Sequence, residues 1–226
     1  MGHIVVIGAG QAGSSCVAKL RNSGFEGKVT LIGAEPVPPY QRPPLSKAYL
    51  LGDMTLERLF LRPESFYSEL DIDLMLGAHV DSIDTASQTI RVKGDDIAYD
   101  DLVLTTGSVP RRLPASIGGA LGGVHVVRDL ADVDAMAPRF TKGARVLIVG
   151  GGYIGLEAAS VAAKLGLNVT LVEMGDRILQ RVAAPQTSDF FRDLHKSHGV
   201  DIREGIGLEH LIGDTHVTAA RLSDGS

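Results

Sequence analysis

The sequence has little of what defines several large classes of protein. Its single cysteine, Cys16, excludes an internal disulfide, a redox-active CxxC pair and a cysteine zinc site. The formal net charge of −5 argues against nucleic acid as a partner. Glu157 and Lys164 interrupt the best apolar run before it reaches the length of a membrane-spanning helix. These absences predict a soluble, cytoplasmic protein without nucleic-acid or membrane partners.

Glycine, by contrast, is abundant: it supplies 27 of the 226 residues, about 12% against a usual share of roughly 7%. Several of these glycines belong to a unit that the sequence contains twice, at residues 4–35 and 146–173. Each copy reads as a β-branched strand, a G-x-G-x-x-G turn, an alanine-rich helix and a second strand containing VTL. The turn glycines are Gly8, Gly10 and Gly13 in the first copy and Gly150, Gly152 and Gly155 in the second.

Each glycine of such a turn has its own task. The first permits a tight turn, the second lets the backbone approach a pyrophosphate, and the third lets the helix pack closely on the strand. The free N–H groups at the start of the helix then face the phosphates. One such motif is weak evidence, and its glycines could serve packing alone. Two of them, each between a strand and a helix, predict two dinucleotide-binding sites.

An acidic residue follows the second strand of each copy. Glu35 and Glu173 can accept hydrogen bonds from a ribose hydroxyl. When the copies are aligned on VTL, Glu173 falls opposite Gly33, so Glu35 is the less certain ribose ligand of the two. A carboxylate at the position of Glu173 favours NADH over NADPH, although the nearby Arg177 complicates this preference.

The predicted fold class is therefore α/β, with two Rossmann-like dinucleotide-binding domains. We expect residues 1–110 to form the first and residues 111–226 the second, because the stretch PRRLPASIGGALGG has linker composition. Residues 72–108 alternate like strands joined by polar turns. Asp129 is a plausible N-cap for a helix before the second copy. The stretch PYQRPPLSKAY, with its prolines, suits neither a strand nor a helix interior.

Taken together, the two copies and the stretches YQRPPLSKAYL, LVLTTGSVPR and GGGYIGLEAA resemble a known family. The chain is similar to the flavin-dependent NADH:ferredoxin reductases that serve bacterial haem monooxygenases and ring-hydroxylating dioxygenases. These enzymes have a glutathione-reductase-like fold. The resemblance implies FAD and NADH as cofactors and a two-iron ferredoxin as the electron acceptor, while the oligomeric state stays open. It also leads us to expect a further FAD-binding segment and an interface domain, so these 226 residues alone should bind FAD poorly.

The resemblance also implies roles for individual residues in FAD binding. Arg42 would lie near the pyrophosphate, Lys47 near the flavin ring, and the backbone of Val80 would meet the adenine. Thr106 and Gly107 would sit against FAD near the hinge, and Arg128 would reach the flavin region. The full implied FAD set is Gly8, Gly10, Gly13, Glu35, Arg42, Lys47, Val80, Thr106, Gly107 and Arg128.

NADH would be bound by the second copy. The resemblance implies a set of Gly150, Gly152, Tyr153, Ile154, Gly155, Glu157 and Glu173. Tyr153 would move when nicotinamide docks, and a Lys47–Glu157 ion pair is expected beside the flavin as the catalytic element. Without the resemblance, Arg42 and Lys47 could be solvated loop cations, and Glu157 an exposed helix charge.

Other functions fit the sequence less well. A disulfide reductase needs a redox cysteine pair, which Cys16 alone cannot supply. His195, His198 and His210 lack the spacing of a metal site, and the stretch around the first two reads as a solvated helix end. An NADH-dependent rubredoxin, nitrite or oxygen reductase stays open, as does an apoptosis-inducing-factor-like flavoprotein. A non-catalytic dinucleotide-binding fragment is the alternative from a different class.

Overall fold

The computed structural model describes residues 2–226, which divide into two compact units. The first consists of the chain up to Arg42 together with Thr55–Val109, and the second of Pro43–Met54 together with Pro110–Ser226. The stretch Pro43–Met54 therefore groups with the second unit, whereas the contiguous range 1–110 assigns it to the first domain.

The first unit contains seven strands and three helices among its described residues. The strands are β1 (His3–Ile7), β2 (Lys28–Ile32), β3 (Ile72–Met75), β4 (Val80–Asp84), β5 (Thr89–Val92), β6 (Asp95–Ala98) and β7 (Asp101–Leu104). The helices are α1 (Gln11–Asn22), α2 (Leu56–Leu59) and α3 (Ser65–Glu69). Four strands form a parallel sheet in the order β3-β2-β1-β7, and β4-β5-β6 form a separate antiparallel sheet. The strands expected within residues 72–108 are thus confirmed.

The central strands of the parallel sheet are buried on both faces, as a sheet covered on both sides requires. Val5 and Val6 are adjacent in β1 and point to opposite faces, yet neither is exposed to solvent. In β2 the adjacent Leu31 and Ile32 are buried in the same way. This burial explains why the two strands read as continuous apolar runs in the sequence.

The second unit repeats the strand–helix–strand plan. Its strands are β8 (Arg145–Val149), β9 (Asn168–Glu173), β10 (Asp201–Glu204), β11 (Leu208–Ile212) and β12 (Ala219–Leu222), and its helices are α4 (Leu130–Met136), α5 (Tyr153–Lys164) and α6 (Pro185–Ser197). The parallel sheet has the order β10-β9-β8, and β11 and β12 form an antiparallel pair. Short 3-10 turns occur at Pro43–Ser46, Ala115–Ile117 and Ala137–Arg139.

Helix α4 begins where the sequence indicated. The carboxylate of Asp129 accepts the backbone N–H of Asp132 at 2.9 Å. In return, the carboxylate of Asp132 accepts the backbone N–H of Asp129 at 3.2 Å, which completes a capping box. Across residues 2–226, the helices are all too short or too polar to cross a membrane.

Candidate functional site

The glycine turn of the first unit joins β1 to α1. Gly8 has φ of +112°, a conformation that favours glycine, and its N–H donates to the carbonyl of Ile32 at 2.8 Å. A methyl group on Gly8 would overlap the carbonyl oxygen of Thr105. At Gly13 a methyl group would overlap the carbonyl oxygen of Gly8, so the helix approaches the turn as closely as the motif predicted.

The turn of the second unit, between β8 and α5, has nearly the same geometry. Gly150 has φ of +111°, and its N–H donates to the carbonyl of Val172 at 2.8 Å. A methyl group on Gly155 would overlap the carbonyl oxygen of Gly150, as at the corresponding place in the first unit. The repeat seen in the sequence is therefore a repeat of three-dimensional structure.

The middle glycine of each turn faces open space. A Cβ atom added to Gly10 or Gly152 would meet no other atom within 4 Å, although both have ordinary negative φ values. Both residues are the N-caps of their helices, and no side chain caps either helix. The N–H groups of the first turn are thus presented to whatever fills this space, which suits the phosphates of a dinucleotide.

Glu35 lies just beyond the end of β2 and is held by two side chains. The hydroxyl of Tyr40, which is buried, donates to Glu35 Oε2 at 2.5 Å. The guanidinium of Arg42 forms an ion pair with Glu35 Oε1 and also lies over the Tyr40 ring, 5.0 Å from its centroid. Arg42 therefore contacts the candidate ribose ligand, and its expected contact with pyrophosphate stays a prediction.

The segment that leads to Val80 lies beside Glu35. The N–H of Gly77 donates to the backbone carbonyl of Glu35 at 2.9 Å, and the N–H of Ala78 donates to that of Gly33. Val80, the proposed adenine contact, follows Gly77 and Ala78 closely in the chain. These two residues are hydrogen-bonded just beyond the end of β2. An adenine beside Val80 and a ribose beside Glu35 would be neighbours, as they are in a dinucleotide.

The end of β7 lies against the first glycine turn. The hydroxyl of Thr105 donates to the carbonyl of Gly8 at 2.8 Å and is 3.1 Å from that of Ile7. The hydroxyl of Thr105 therefore stabilises the first glycine turn. Thr106 and Gly107 follow it and are exposed, with φ of +70° at Gly107. Their predicted contact with FAD is compatible with this exposure.

Glu173, the last residue of β9, is bound by backbone N–H groups on both sides. Its Oε2 accepts from Gly151 at 2.8 Å, within the glycine turn, and its Oε1 accepts from Gly175 at 2.7 Å. Each oxygen keeps a further acceptor site for a ribose hydroxyl. The carboxylate is thus held at the turn in a fixed orientation.

Arg177, which complicated the predicted preference for NADH, forms hydrogen bonds with nearby residues of the chain. Its Nη1 donates to the hydroxyl of Ser188 at 2.5 Å, and its Nη2 donates to the carbonyls of Gln180 and Ala183 at 3.2 and 2.9 Å. These contacts fix the loop between β9 and α6. Because these hydrogen bonds hold the guanidinium against its own loop, Arg177 is poorly placed to bind a 2′-phosphate.

The expected Lys47–Glu157 ion pair is present within the second unit. Lys47 Nζ lies 2.6 Å from Oε2 of Glu157, which projects from α5. The same oxygen accepts a hydrogen bond from the hydroxyl of Ser46 at 2.6 Å. Ser46 belongs to the 3-10 turn Pro43–Ser46 and is only 5% exposed, whereas the side chain of Lys47 is 47% exposed.

Two further contacts fix the stretch Pro43–Met54 in the second unit. The hydroxyl of Tyr49 donates to Asp134 on α4 at 2.8 Å. The Oδ2 atom of Asp53 lies 3.9 Å from Nζ of Lys164, the last residue of α5. The prolines expected to stiffen the stretch therefore begin a segment that is attached to both helices.

The remaining predicted residues lie near the starts of the helices. Tyr153 and Ile154 are the first two residues of α5, and both are more than half exposed. Arg128 precedes the N-cap of α4, and its backbone N–H donates to Asp132 at 3.0 Å. The roles of these three residues toward nicotinamide or flavin stay predictions.

Sequence reasoning missed three residues that support the candidate ligands: Ser46, Tyr40 and Thr105. Each acts through a hydroxyl that binds a residue far away in the chain or across a turn. The available signal was their position: Ser46 and Thr105 adjoin Lys47 and Thr106, and Tyr40 lies two residues before Arg42. The resemblance had singled out these three neighbours.

Histidine reasoning was partly wrong. The end of α6 is mostly exposed, as expected, but the side chain of His195 within it is buried. This burial, together with the charge of His198, lowers the pKa of His195. Within residues 2–226, no group of three or more His, Cys, Asp or Glu side chains could hold a metal ion.

Two units of this construction, each with an uncapped glycine turn and an acid at the end of the second strand, define an α/β protein with two Rossmann-like domains. The sequence over residues 2–226 matches the family described as pyridine nucleotide-disulphide oxidoreductase. The chain belongs to that family.

Several known proteins are similar along nearly the whole chain. A ferredoxin–NAD(P)+ reductase from a Sphingomonas species is 45% identical over 223 residues, which are 98% of this chain and 54% of that protein. Putidaredoxin reductase from Pseudomonas putida is 40% identical over 230 residues, 99% of this chain and 54% of that protein. The chain thus spans about half the length of the curated relatives it matches.

A solved structure shows the same fold. The crystal structure of a covalent putidaredoxin reductase–putidaredoxin complex superposes with a TM-score of 0.94 at 39% identity, covering 100% of this chain and 55% of that one. This agreement confirms the predicted α/β fold with two dinucleotide-binding domains.

Proposed function

We propose that this chain is the dinucleotide-binding part of a flavoprotein reductase. It would pass electrons from NADH through FAD to a two-iron ferredoxin that feeds an oxygenase. The observation that carries the proposal is the pair of glycine turns with matching geometry. Relatives of 45% and 40% identity that are named as reductases support it.

The residues present fit both cofactors. The open space at Gly10 and Gly152, together with the uncapped helices that begin there, offers each pyrophosphate a set of N–H donors. Glu35 and Glu173 would accept from the two adenosine riboses. FAD, when bound, supplies the chemistry that converts hydride transfer from NADH into single-electron transfer.

The chain's own part is to orient and stabilise. Lys47, held by Glu157, would place a positive charge where negative charge develops during hydride transfer, and a fixed charge of this kind lowers the barrier. Tyr153 and Ile154, exposed at the start of α5, would cover the nicotinamide and exclude water from it. No side chain acts as a nucleophile in this scheme.

NADH is the proposed reductant. The carboxylate of Glu173 is fixed by Gly151 and Gly175 and would repel a 2′-phosphate. Arg177 donates to groups in its own loop and would not offset that repulsion. We further propose a cytoplasmic location, since one cysteine suits a reducing compartment.

The decisive experiment is anaerobic absorbance spectroscopy of the whole reductase of which this chain is the proposed part, because these 226 residues alone are expected to bind FAD poorly. We expect a yellow protein that NADH bleaches and that then reduces an added two-iron ferredoxin. NADPH serves as the matched control and should bleach it far more slowly.

Other outcomes would select other functions. Bleaching without electron transfer to ferredoxin would reject the proposed partner. Electron transfer to rubredoxin instead would favour the rubredoxin-reductase alternative, for which a relative of 37% identity exists. A protein that takes up neither FAD nor NADH would reject the proposal and leave the non-catalytic alternative.

A further inference from the structure

The hydroxyl of Ser46 shares the Glu157 carboxylate with Lys47. Ser46 Oγ and Lys47 Nζ each lie 2.6 Å from Oε2 of Glu157. Two donors on one oxygen, from adjacent residues of the same segment, fix the direction in which that carboxylate presents its charge. Neither the motifs nor the resemblance assigns a role to Ser46.

The two donors differ in how firmly they are held. Ser46 is buried within the 3-10 turn, and the turn is closed by the N–H of Lys47 donating to the carbonyl of Pro44 at 3.0 Å. The lysine side chain is long, about half exposed and free to adopt many rotamers. An ion pair between partly exposed groups is weak by itself, because ordering the side chains offsets the attraction.

A buried hydroxyl changes this balance. It orders the Glu157 carboxylate before the lysine binds, so that only Lys47 must lose rotamer freedom. We infer that Ser46 is a positioning residue that holds Glu157, and through it Lys47, in place for hydride transfer. The inference rests on the proposed function for its catalytic consequence, but the positioning itself is a property of the chain alone.

The positioning can be measured without any cofactor. Trace acylation of the protein with acetic anhydride, followed by mass spectrometry, reports the reactivity of Lys47 relative to the exposed Lys142. Ser46→Ala should raise the relative reactivity of Lys47 about two- to tenfold, the range that one hydrogen bond is worth. Tyr49→Phe is the matched control, because it removes a hydroxyl of the same segment that binds Asp134 and not Glu157.

A double-mutant cycle separates positioning from general damage. In a Glu157→Ala background Ser46 has no carboxylate to hold, so adding Ser46→Ala should leave the reactivity of Lys47 unchanged. Unchanged reactivity in Ser46→Ala alone, or an equal increase in both backgrounds, would overturn the inference. If Ser46→Ala does not fold, Ser46→Cys keeps the volume with a weaker donor and should give a smaller increase in the same direction; no increase would again overturn it.

The catalytic consequence is tested separately, with FAD bound in the wild-type and variant proteins. Ser46→Ala should slow the limiting rate of flavin bleaching by NADH about two- to tenfold while the concentration of NADH for half-saturation stays the same. A shift in that concentration with an unchanged limiting rate would contradict positioning of Lys47. If the wild-type protein is not bleached at all, the proposed function fails, whereas the acylation result still stands or falls by itself.

Discussion

The ammonium of Lys47 lies 2.6 Å from the Oε2 atom of Glu157, and both groups belong to the second unit of the chain. Lys47 comes from the stretch Pro43–Met54, which interrupts the first unit in sequence. This pair therefore connects that stretch to helix α5, directly after the second glycine turn. In the proposed function, Glu157 holds Lys47 so that its positive charge is available to the reacting rings.

Replacing the lysine tests this role. We expect Lys47→Ala in the FAD-loaded protein to lower the rate of flavin bleaching by NADH about 10- to 100-fold, because a fixed positive charge is lost where negative charge develops. Rapid-mixing absorbance measurements would determine the rate. Lys142→Ala, at an exposed loop position, is the control and should retain the wild-type rate. A normal rate in Lys47→Ala would refute the role.

The middle and third glycines of the second turn should respond differently to the same small change. Gly152→Ala places a methyl group in open space at a normal φ, so stability should hold. Affinity for NADH should fall about 5- to 150-fold if the pyrophosphate occupies that space, which is the range of a 1–3 kcal/mol steric conflict. Titration of NADH binding and thermal unfolding would measure the two effects.

Gly155→Ala is the matched comparison for that variant. Its methyl group would overlap the carbonyl oxygen of Gly150, so the free energy of unfolding should fall by about 1–3 kcal/mol. The same contrast should hold for Gly10→Ala and Gly13→Ala with FAD. Equal loss of stability in the middle-glycine and third-glycine variants would contradict the assignment of tasks to the glycines.

The limits of sequence reasoning follow from what a motif encodes. The glycine turns were predictable because their geometry depends on local backbone conformation, and φ is nearly the same at Gly8 and Gly150. The Asp129 cap was predictable for the same reason. The two donors on Glu157 join distant parts of the chain, and only the resemblance suggested the lysine.

Other features could not be predicted because they depend on packing. The burial of His195 and the hydroxyl bond from Tyr40 to Glu35 follow from which neighbours cover each side chain. The attachment of Pro43–Met54 to the second unit likewise arises from contacts distant in sequence, such as Tyr49 with Asp134. A single sequence contains no local pattern that fixes such contacts.

Glu173 should determine the choice of coenzyme. We expect Glu173→Ala to lower the ratio of kcat/KM for NADH to that for NADPH about 10- to 100-fold, because a hydrogen bond to a charged group is lost and repulsion of a 2′-phosphate is removed. Most of the change should be a loss with NADH, since Arg177 stays bound to Ser188 and the loop carbonyls.

Steady-state kinetics with both coenzymes would test this expectation. Glu209→Ala, which removes an exposed carboxylate of the same unit, is the control and should leave the ratio unchanged. An unaltered ratio in Glu173→Ala would show that the ribose hydroxyls are recognised elsewhere.

The acid sensitivity of the second unit should depend on Glu204, which lies in β10. Burial acts to raise the pKa of Glu204, but hydrogen bonds from Arg192 at 2.7 Å and from the N–H of Ile178 at 2.8 Å outweigh it and lower the pKa below its usual range. A carboxylate whose pKa is lower in the folded state contributes stability above its unfolded pKa of about 4.3. That contribution is lost as the pH falls through the lower, folded value.

Glu204→Gln should therefore be less stable than wild type at pH 7 and lose less stability on acidification. We expect the two curves of unfolding free energy against pH to converge as the pH falls through the lowered, folded-state pKa of Glu204, because protonation abolishes in the wild type what the substitution has already removed. Urea unfolding from pH 7 to pH 3 would measure both curves, with Glu209→Gln as the exposed control. Parallel curves would show that the Arg192–Glu204 pair does not govern the acid response.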